Sequence, residues 1–155
     1  MKHIAILSDT HGLLRECVKA ELEVADLILH AGDIDNPIVL EAMQRYGETY
    51  VVRGNNDKEW AEYLPLNLTI TIEGVRFLLV HNKKDIPKNL KDVDVVIYGH
   101  SHKYFTEVIN GVLFLNPGSC GRRRFKLDIT MCRMFVNEGK YEYEEVVLPL
   151  DSTQR

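Results

Sequence analysis

Five short segments of the chain carry side chains that can bind metal ions, and each follows a stretch that reads as a buried strand. The segments are Asp9-Thr10-His11, Gly32-Asp33, Gly54-Asn55-Asn56-Asp57, Val80-His81-Asn82 and Gly99-His100-Ser101-His102. Binding sites in α/β proteins assemble where strands end, so we expect these segments to meet in space. One segment alone would be interpreted as a turn or a cap, but five in succession predict a metal centre.

The candidate ligands are carboxylates, one amide oxygen and imidazoles, with no thiolate among them. They are Asp9, His11, Asp33, Asn55, His81, His100 and His102. This mixture suits borderline-hard divalent ions such as Mn²⁺, Fe²⁺, Co²⁺, Ni²⁺ and Zn²⁺. Residues two apart on an extended segment point to the same side, so Asp9 with His11, and His100 with His102, can aim into one cleft. A lone histidine after a strand is more often an ordinary hydrogen-bonded residue, and that is our interpretation of His30.

The elements that must position these residues follow different patterns in the two halves of the chain. In the first half, short apolar strands alternate with two helices, and the second helix begins at Asn36-Pro37 and ends at Gly47. The second half favours antiparallel strands, because residues alternate with a period of two and Asn110-Gly111 is a strong hairpin signal. Strands are predicted at 4–7, 27–29, 50–52, 68–72, 75–80, 93–98, 104–109, 112–115, 127–136 and 141–148. We therefore predict an α/β fold with two packed mixed β-sheets flanked by helices.

Composition sets limits on the class of protein. With 155 residues and 45% hydrophobic content, we expect one domain over residues 1–150 and a C-terminal tail at 151–155. A net charge of −4 argues against a surface built for nucleic acid or anionic membranes. No apolar run approaches the ~20 residues of a membrane span, and the N-terminus has no secretory pattern, so we expect a cytoplasmic protein. The scattered Cys17, Cys120 and Cys132 predict reduced thiols.

Taken in order, the five segments resemble the calcineurin-like metallophosphoesterases, and within them the small bacterial and archaeal phosphodiesterases. The pattern of that family is D-x-H, G-D, G-N-x-D, H and G-H-x-H, and this chain fills every ligand position of it. The similarity extends over nearly the whole chain and includes the loop Asn116-Pro117-Gly118-Ser119. It implies a metallophosphoesterase-type αββα sandwich, which agrees with the strand pattern.

The resemblance also implies two divalent ions that share one ligand. Asp9, His11, Asp33 and His102 would hold one ion, and Asp33, Asn55, His81 and His100 the other. Mn²⁺ is the ion we expect, with Ni²⁺, Zn²⁺, Fe²⁺ and Co²⁺ as alternatives. A hydroxide that bridges the two ions would attack phosphorus in line, which makes Asp33, Asn55 and His100 the catalytic set. Asp57 would support this set by orienting Asn55 or a ligand histidine.

The chain departs from related phosphatases directly after Asn55, where they have a histidine proposed to protonate the leaving group and this chain has Asn56. An amide cannot supply that proton at neutral pH. We therefore expect a phosphodiesterase that acts on a small phosphate ester. A phosphomonoesterase or nucleotidase is the alternative. A third alternative is a non-catalytic scaffold, because a eukaryotic retromer subunit resembles these enzymes, but a scaffold should have lost the histidines. Arg122, Arg123 and Arg124 either face a phosphate or are a solvated run, and a homo-oligomer is among the expected partners.

Overall fold

The computed structural model describes residues 1–150, so the tail predicted at 151–155 lies outside the described residues. In chain order the strands are β1 (Lys2–Leu7), β2 (Leu27–His30), β3 (Glu48–Val51), β4 (Asn67–Ile72), β5 (Val75–Val80), β6 (Val95–Ile97), β7 (Tyr104–Ile109), β8 (Val112–Pro117), β9 (Thr130–Asn137) and β10 (Lys140–Val147). The helices are α1 (Glu16–Val24) and α2 (Pro37–Tyr46), and single 3₁₀ turns lie at Glu59–Ala61 and Lys83–Asp85.

The strands form two mixed sheets of five, ordered β10-β9-β1-β2-β3 and β4-β5-β6-β8-β7. In the first sheet β1, β2 and β3 are parallel, and β9 and β10 add antiparallel strands at one side. In the second sheet β5, β6 and β8 are parallel, and β4 and β7 form antiparallel edges. The predicted α/β fold of two packed mixed sheets flanked by helices is therefore confirmed.

The main core lies between the sheets, and its composition explains why β1 reads as a continuous apolar run. Ile4 and Ile6 face the second sheet, where Phe77 of β5 is fully buried. Ala5 and Leu7 point the opposite way and pack with the helices. Because both faces of β1 are covered, alternation with polar residues is absent from its centre.

Both α-helices pack on the outer face of the first sheet. The second helix has the predicted start, since the Asn36 side chain accepts a hydrogen bond from the backbone N–H of Val39 and Pro37 occupies the first helical position. The outer face of the second sheet is covered by the irregular connection 82–94, from which Ile86 and Leu90 pack on β5 and β6. Among residues 1–150 no helix has the length and apolar character of a membrane span.

Two-residue turns with left-handed backbone close three hairpins. They are Glu73-Gly74, Asn110-Gly111 and Glu138-Gly139, with φ angles of 49° and 81°, 51° and 81°, and 48° and 78°. Positive φ at both central residues is the type I′ geometry that matches the twist of paired strands. These turns determine the register of the antiparallel strands, so the glycine signals in the sequence located them correctly.

Candidate metal centre

The structure brings all seven predicted ligand residues to one place. The ligand atoms of Asp9, His11 and His102 lie within 4.8 Å of one another, as do those of a second set formed by Asp33, His81 and His100. The seventh, Asn55, joins the second set, because its Oδ1 lies 3.2 Å from His100 Nδ1. Ligands as far apart in the sequence as Asp9 and His102, which are 93 residues apart, therefore share one small volume.

Asp33 lies between the two sets. Its Oδ2 atom is 3.6 Å from Nε2 of His11 in the first set and 3.1 Å from Nε2 of His81 in the second. Its other oxygen, Oδ1, accepts a hydrogen bond from the backbone N–H of Asn56 at 2.9 Å. One carboxylate oxygen thus fixes the chain, while the other faces imidazole nitrogens from both sets.

Hydrogen bonds orient two of the imidazoles so that Nε2 faces the centre. His11 Nδ1 donates to the Asp35 carboxylate at 2.9 Å, and His81 Nδ1 donates to the Ala31 carbonyl at 2.8 Å. A proton held at Nδ1 leaves a lone pair on Nε2 in the neutral ring. Carboxylate–histidine pairs of this kind are common behind metal ligands, where they fix the tautomer and raise the basicity of the ring.

Asp9 gives the clearest indication that a cation fits between these groups. Its Oδ2 accepts hydrogen bonds from Ser8 Oγ at 2.6 Å and from the backbone N–H of His100 at 3.0 Å. Its Oδ1 is completely buried, has no hydrogen-bond partner within the described residues, and lies 3.3 Å from His102 Nε2. Nε2 of His81, which is also buried and makes no hydrogen bond within the described residues, is 4.0 Å from the same oxygen. A divalent ion satisfies convergent oxygen and nitrogen lone pairs of this type.

The carboxylates and imidazoles of the cluster shift one another's pKa values. Burial by itself raises the pKa of Asp9, but the adjacent His102 and His11 outweigh it and hold the pKa well below its usual range. The pKa of Asp33 is also lowered, because the contacts with His81 and the Asn56 N–H overcome burial. Burial lowers the pKa of His11 and His81, yet the neighbouring carboxylates raise both above the usual value. The centre therefore favours ionised carboxylates and stabilises positive charge placed between them.

Asp57 supports the centre through the backbone. Its Oδ2 accepts hydrogen bonds from the N–H groups of Asp33 at 3.0 Å and Gly54 at 2.8 Å, and its Oδ1 accepts from Ile34 and Asp35, both at 2.9 Å. Asp57 was predicted to orient Asn55 or a ligand histidine. Its bonds go instead to four backbone donors, so it holds the turn that carries Asp33 against the turn that carries Asn55.

The backbone of the ligand turns is unusual in conformation and closely packed. Five of the candidate ligands have left-handed φ angles: 54° at Asp9, 45° at His11, 62° at Asp33, 75° at His100 and 66° at His102. Such conformations cost free energy in non-glycine residues and concentrate at functional sites. Gly99 and Gly54 pack so closely that a Cβ would overlap Ser8 Oγ and Asp33 Oδ1, respectively.

Several supporting residues were not identified from the sequence. Asp35 orients His11, and its spacing of two from Asp33 was the available signal. Ser119 Oγ donates to the Asp9 carbonyl at 2.8 Å, and Asn116 Nδ2 donates to the Gly99 carbonyl at 3.1 Å. The loop that the sequence analysis noted only as a family feature thus fastens two ligand segments.

Other residues singled out in the sequence lie outside the cluster. His30 is fully buried and accepts the Gly32 N–H at Nδ1, so its Nε2–H donates to Thr10 Oγ1 at 3.1 Å. Its interpretation as an ordinary hydrogen-bonded histidine is confirmed. In the exposed run 122–124, the Arg123 guanidinium donates to the carbonyls of Lys126 and Leu127 in its own loop.

Two cavities open beside the centre. One, of about 460 Å³, includes His100 in its lining together with aromatic and basic residues. The other, of about 760 Å³, includes Asn55 and His81 and carries the basic residues Arg53, Lys58 and Lys84. Each cavity thus shares a wall with the second ligand set.

The chain is similar in sequence to known proteins. Residues 1–139 match the family model described as the calcineurin-like phosphoesterase superfamily domain. A phosphodiesterase of Methanocaldococcus jannaschii is 30% identical over an alignment of 166 positions, gaps included, which covers 94% of this chain and 98% of the relative.

Solved structures show the same fold. A structure described as a novel archaeal phosphodiesterase has a TM-score of 0.74 at 24% identity, covering 94% of this chain and 99% of that one. Wild-type Vps29 of Entamoeba histolytica, solved in complex with Zn²⁺, has a TM-score of 0.73 at 21% identity, covering 94% and 98%.

Proposed function

Because the chain belongs to the calcineurin-like phosphoesterase superfamily, we propose that it is a phosphodiesterase that hydrolyses a small phosphate ester with two divalent metal ions. The observation that carries the proposal is the position of Asp33 Oδ2, which lies 3.6 Å from His11 Nε2 and 3.1 Å from His81 Nε2. A carboxylate oxygen between two sets of imidazoles is the arrangement that a shared ligand of two ions requires.

The proposed ligands follow the two geometric sets. One ion would be held by Asp9, His11, His102 and Asp33, and the other by Asp33, Asn55, His81 and His100. The mixture of carboxylate, amide and imidazole donors supports Mn²⁺ as the first ion to test, with Ni²⁺, Zn²⁺, Fe²⁺ and Co²⁺ as alternatives. When bound, such ions supply a nucleophile at neutral pH and neutralise the phosphoryl oxygens.

The chain's own groups have distinct tasks in this scheme. Asp35 and the Ala31 carbonyl retain the Nδ1 protons of His11 and His81, which keeps both Nε2 atoms available as ligands. Asp57 holds the turn that carries Asp33 against the turn that carries Asn55. His100, exposed at the edge of the cluster and next to Asn55, is placed to meet the substrate phosphate.

Two features favour a diester over a monoester. Asn56 is an amide and cannot protonate a leaving group at neutral pH, so the acid proposed for the related phosphatases, which cleave monoesters, is missing here. In addition, cavities of about 460 and 760 Å³ adjoin the second ligand set, which offers a separate space for each organic group of a diester. A monoester has only one such group and would use one cavity.

The test is hydrolysis of bis(para-nitrophenyl) phosphate and of para-nitrophenyl phosphate by chelator-stripped protein, with Mn²⁺, Ni²⁺, Zn²⁺ or Mg²⁺ restored separately. We expect metal-dependent cleavage of the diester in preference to the monoester. Asn55→Ala should lower diester turnover at least about tenfold, the loss seen even for residues that only support a ligand. Asn137→Ala, exposed at the end of β9, is the matched control.

Other outcomes would choose between the alternatives. Preferred cleavage of the monoester would favour a phosphomonoesterase or nucleotidase. Stoichiometric metal binding without turnover of either ester would favour the non-catalytic scaffold. Residues 1–150 as one domain, a cytoplasmic location and a homo-oligomeric state stay predictions, and sedimentation at micromolar concentration tests the last of these.

A further inference from the structure

The cavity of about 460 Å³ differs from the centre beside it in the chemistry of its walls. His100 and Gly99 form the side shared with the centre, while Phe105, Phe125 and Leu127 supply an apolar side. Its volume falls within the range of pockets that bind small organic ligands, which are mostly apolar with a few polar groups. The cavity can therefore hold an organic group attached to a phosphate at His100.

Two phenylalanine rings of this cavity are unusually open to solvent. Phe105 is 44% exposed on the edge strand β7, and Phe125 is 82% exposed in the loop that precedes β9. The neighbouring Tyr104 of β7 packs into the core between the sheets instead. Exposed aromatic faces at the wall of a cavity are suited to stacking against a flat ring.

Lysines give the cavity a positive charge. Lys83 Nζ lies 5.9 Å from the centre of the Phe105 ring and 3.5 Å from Glu107. The Lys103 ammonium has no ion pair within the described residues, and none of the residues that line this cavity is acidic. Three exposed arginines at 122–124 precede Phe125 in the same loop but are not part of the lining of the cavity. An anionic ligand is therefore favoured over a neutral one.

We propose that this cavity binds a flat aromatic ring on the substrate, so that the natural substrate is an anionic aromatic phosphate ester with the chemistry of a nucleotide. The inference rests on the proposed function, because the phosphate of that ester would lie at His100. Phe105 and Phe125 would recognise the aromatic ring by stacking against it. Lys83 and Lys103 would favour a ligand with negative charge.

The experiment compares two ligands that differ only in the ring. Isothermal titration calorimetry on the Mn²⁺-loaded full chain measures the Kd of adenosine 5′-monophosphate and of ribose 5-phosphate. Stacking of a base on aromatic residues predicts a Kd about fivefold or more lower for the nucleotide. Analysis of the titrated samples for released phosphate shows whether either ligand is cleaved.

Variants test whether the difference in Kd between the two ligands arises in this cavity. Phe125→Ala, which removes a highly exposed side chain without threatening the core, and Phe105→Ala should each reduce the nucleotide's advantage. Val108→Ala, 65% exposed on the same strand as Phe105 but outside the cavity, should retain it. Lys103→Gln should weaken both ligands alike, by about two- to fivefold.

Equal affinity for the two ligands, or an advantage that survives both phenylalanine variants, would overturn the inference. Hydrolysis of bis(para-nitrophenyl) phosphate by the same preparation separates the two proposals. Diester cleavage without a nucleotide preference would leave the proposed function intact and reject the cavity's role. A nucleotide preference without cleavage would retain the aromatic site and reject the phosphodiesterase.

Discussion

Replacement of Asp57 by asparagine tests whether this carboxylate holds the metal-binding turns in place. Each of its two oxygens accepts two backbone hydrogen bonds, at 2.8 to 3.0 Å. In Asp57→Asn one oxygen becomes an NH₂ group, and two backbone N–H donors then face a third donor. The residue is only 5% exposed, so water cannot take over these bonds.

The magnitude follows from the number of bonds lost. A hydrogen bond to a charged group contributes about 1.5–3 kcal/mol, so the loss of two predicts about 3–6 kcal/mol of destabilisation. Urea unfolding of the chelator-stripped protein measures this loss without a contribution from metal. The exposed Asp128→Asn removes the same charge from the surface and should change stability by less than about 0.5 kcal/mol.

Function should decline together with stability, because the four donors belong to the turns that carry Asp33 and Asn55. We expect Asp57→Asn to bind Mn²⁺ at least about tenfold more weakly, as measured by calorimetry below the unfolding transition. A variant that loses less than about 1 kcal/mol would contradict this role of Asp57, since the four contacts would then contribute little.

Three further predictions concern neighbouring positions. Burial lowers the pKa of His30 to about 4. Since the unfolded state binds the proton with a pKa near 6.5, the contribution of His30 to stability falls by about 2 kcal/mol from pH 7 to 5. In urea unfolding of chelator-stripped protein, His30→Gln should therefore lose about 2 kcal/mol less than the wild type over that range. Gly99→Ala places a methyl group on Ser8 Oγ and Asp9 Oδ2 and should lower diester turnover by about 100-fold, whereas Gly47→Ala, with extended φ and 3.8 Å of clearance, should match the wild type. Burial raises the pKa of the Cys120 thiol to about 12, so Ellman's reagent at pH 8 should modify it only after unfolding.

Much of the fold was predictable because its signals are local. A strand covered on both faces reads as an apolar run, as in β1, and a strand with one exposed face alternates, as in β4. Type I′ turns need positive φ at both central positions, so Asn110-Gly111 marks its hairpin from the sequence. Local signals did not locate the start of β9. The strand was predicted from residue 127 but begins at Thr130, since residues 123–127 form a loop closed by Arg123.

The candidate ligands were also predictable, because the chemistry of metal binding restricts residue type. The supporting contacts were not, since they join side chains to backbone groups that are distant in the sequence. Asp57 bonds to N–H groups up to 24 residues away, and Ser119 bonds to a carbonyl 110 residues away. Every residue type offers a backbone carbonyl, and all but proline offer a backbone N–H, so the sequence does not show which residue is the partner. Asp57 was therefore singled out by its position after Asn55, but its partners were not.

In each of the two central carboxylates, one oxygen binds protein donors and the other faces imidazoles. Asp9 uses Oδ2 to bind Ser8 and the His100 N–H, and leaves Oδ1 facing the imidazoles. Asp33 uses Oδ1 to bind the Asn56 N–H, and leaves Oδ2 between His11 and His81. The bonds that connect the ligand turns are therefore made between protein groups, and the remaining carboxylate oxygens face the imidazoles. The same bonds hold the left-handed backbone at Asp9, Asp33 and His100, and so they fix the positions of the candidate donors.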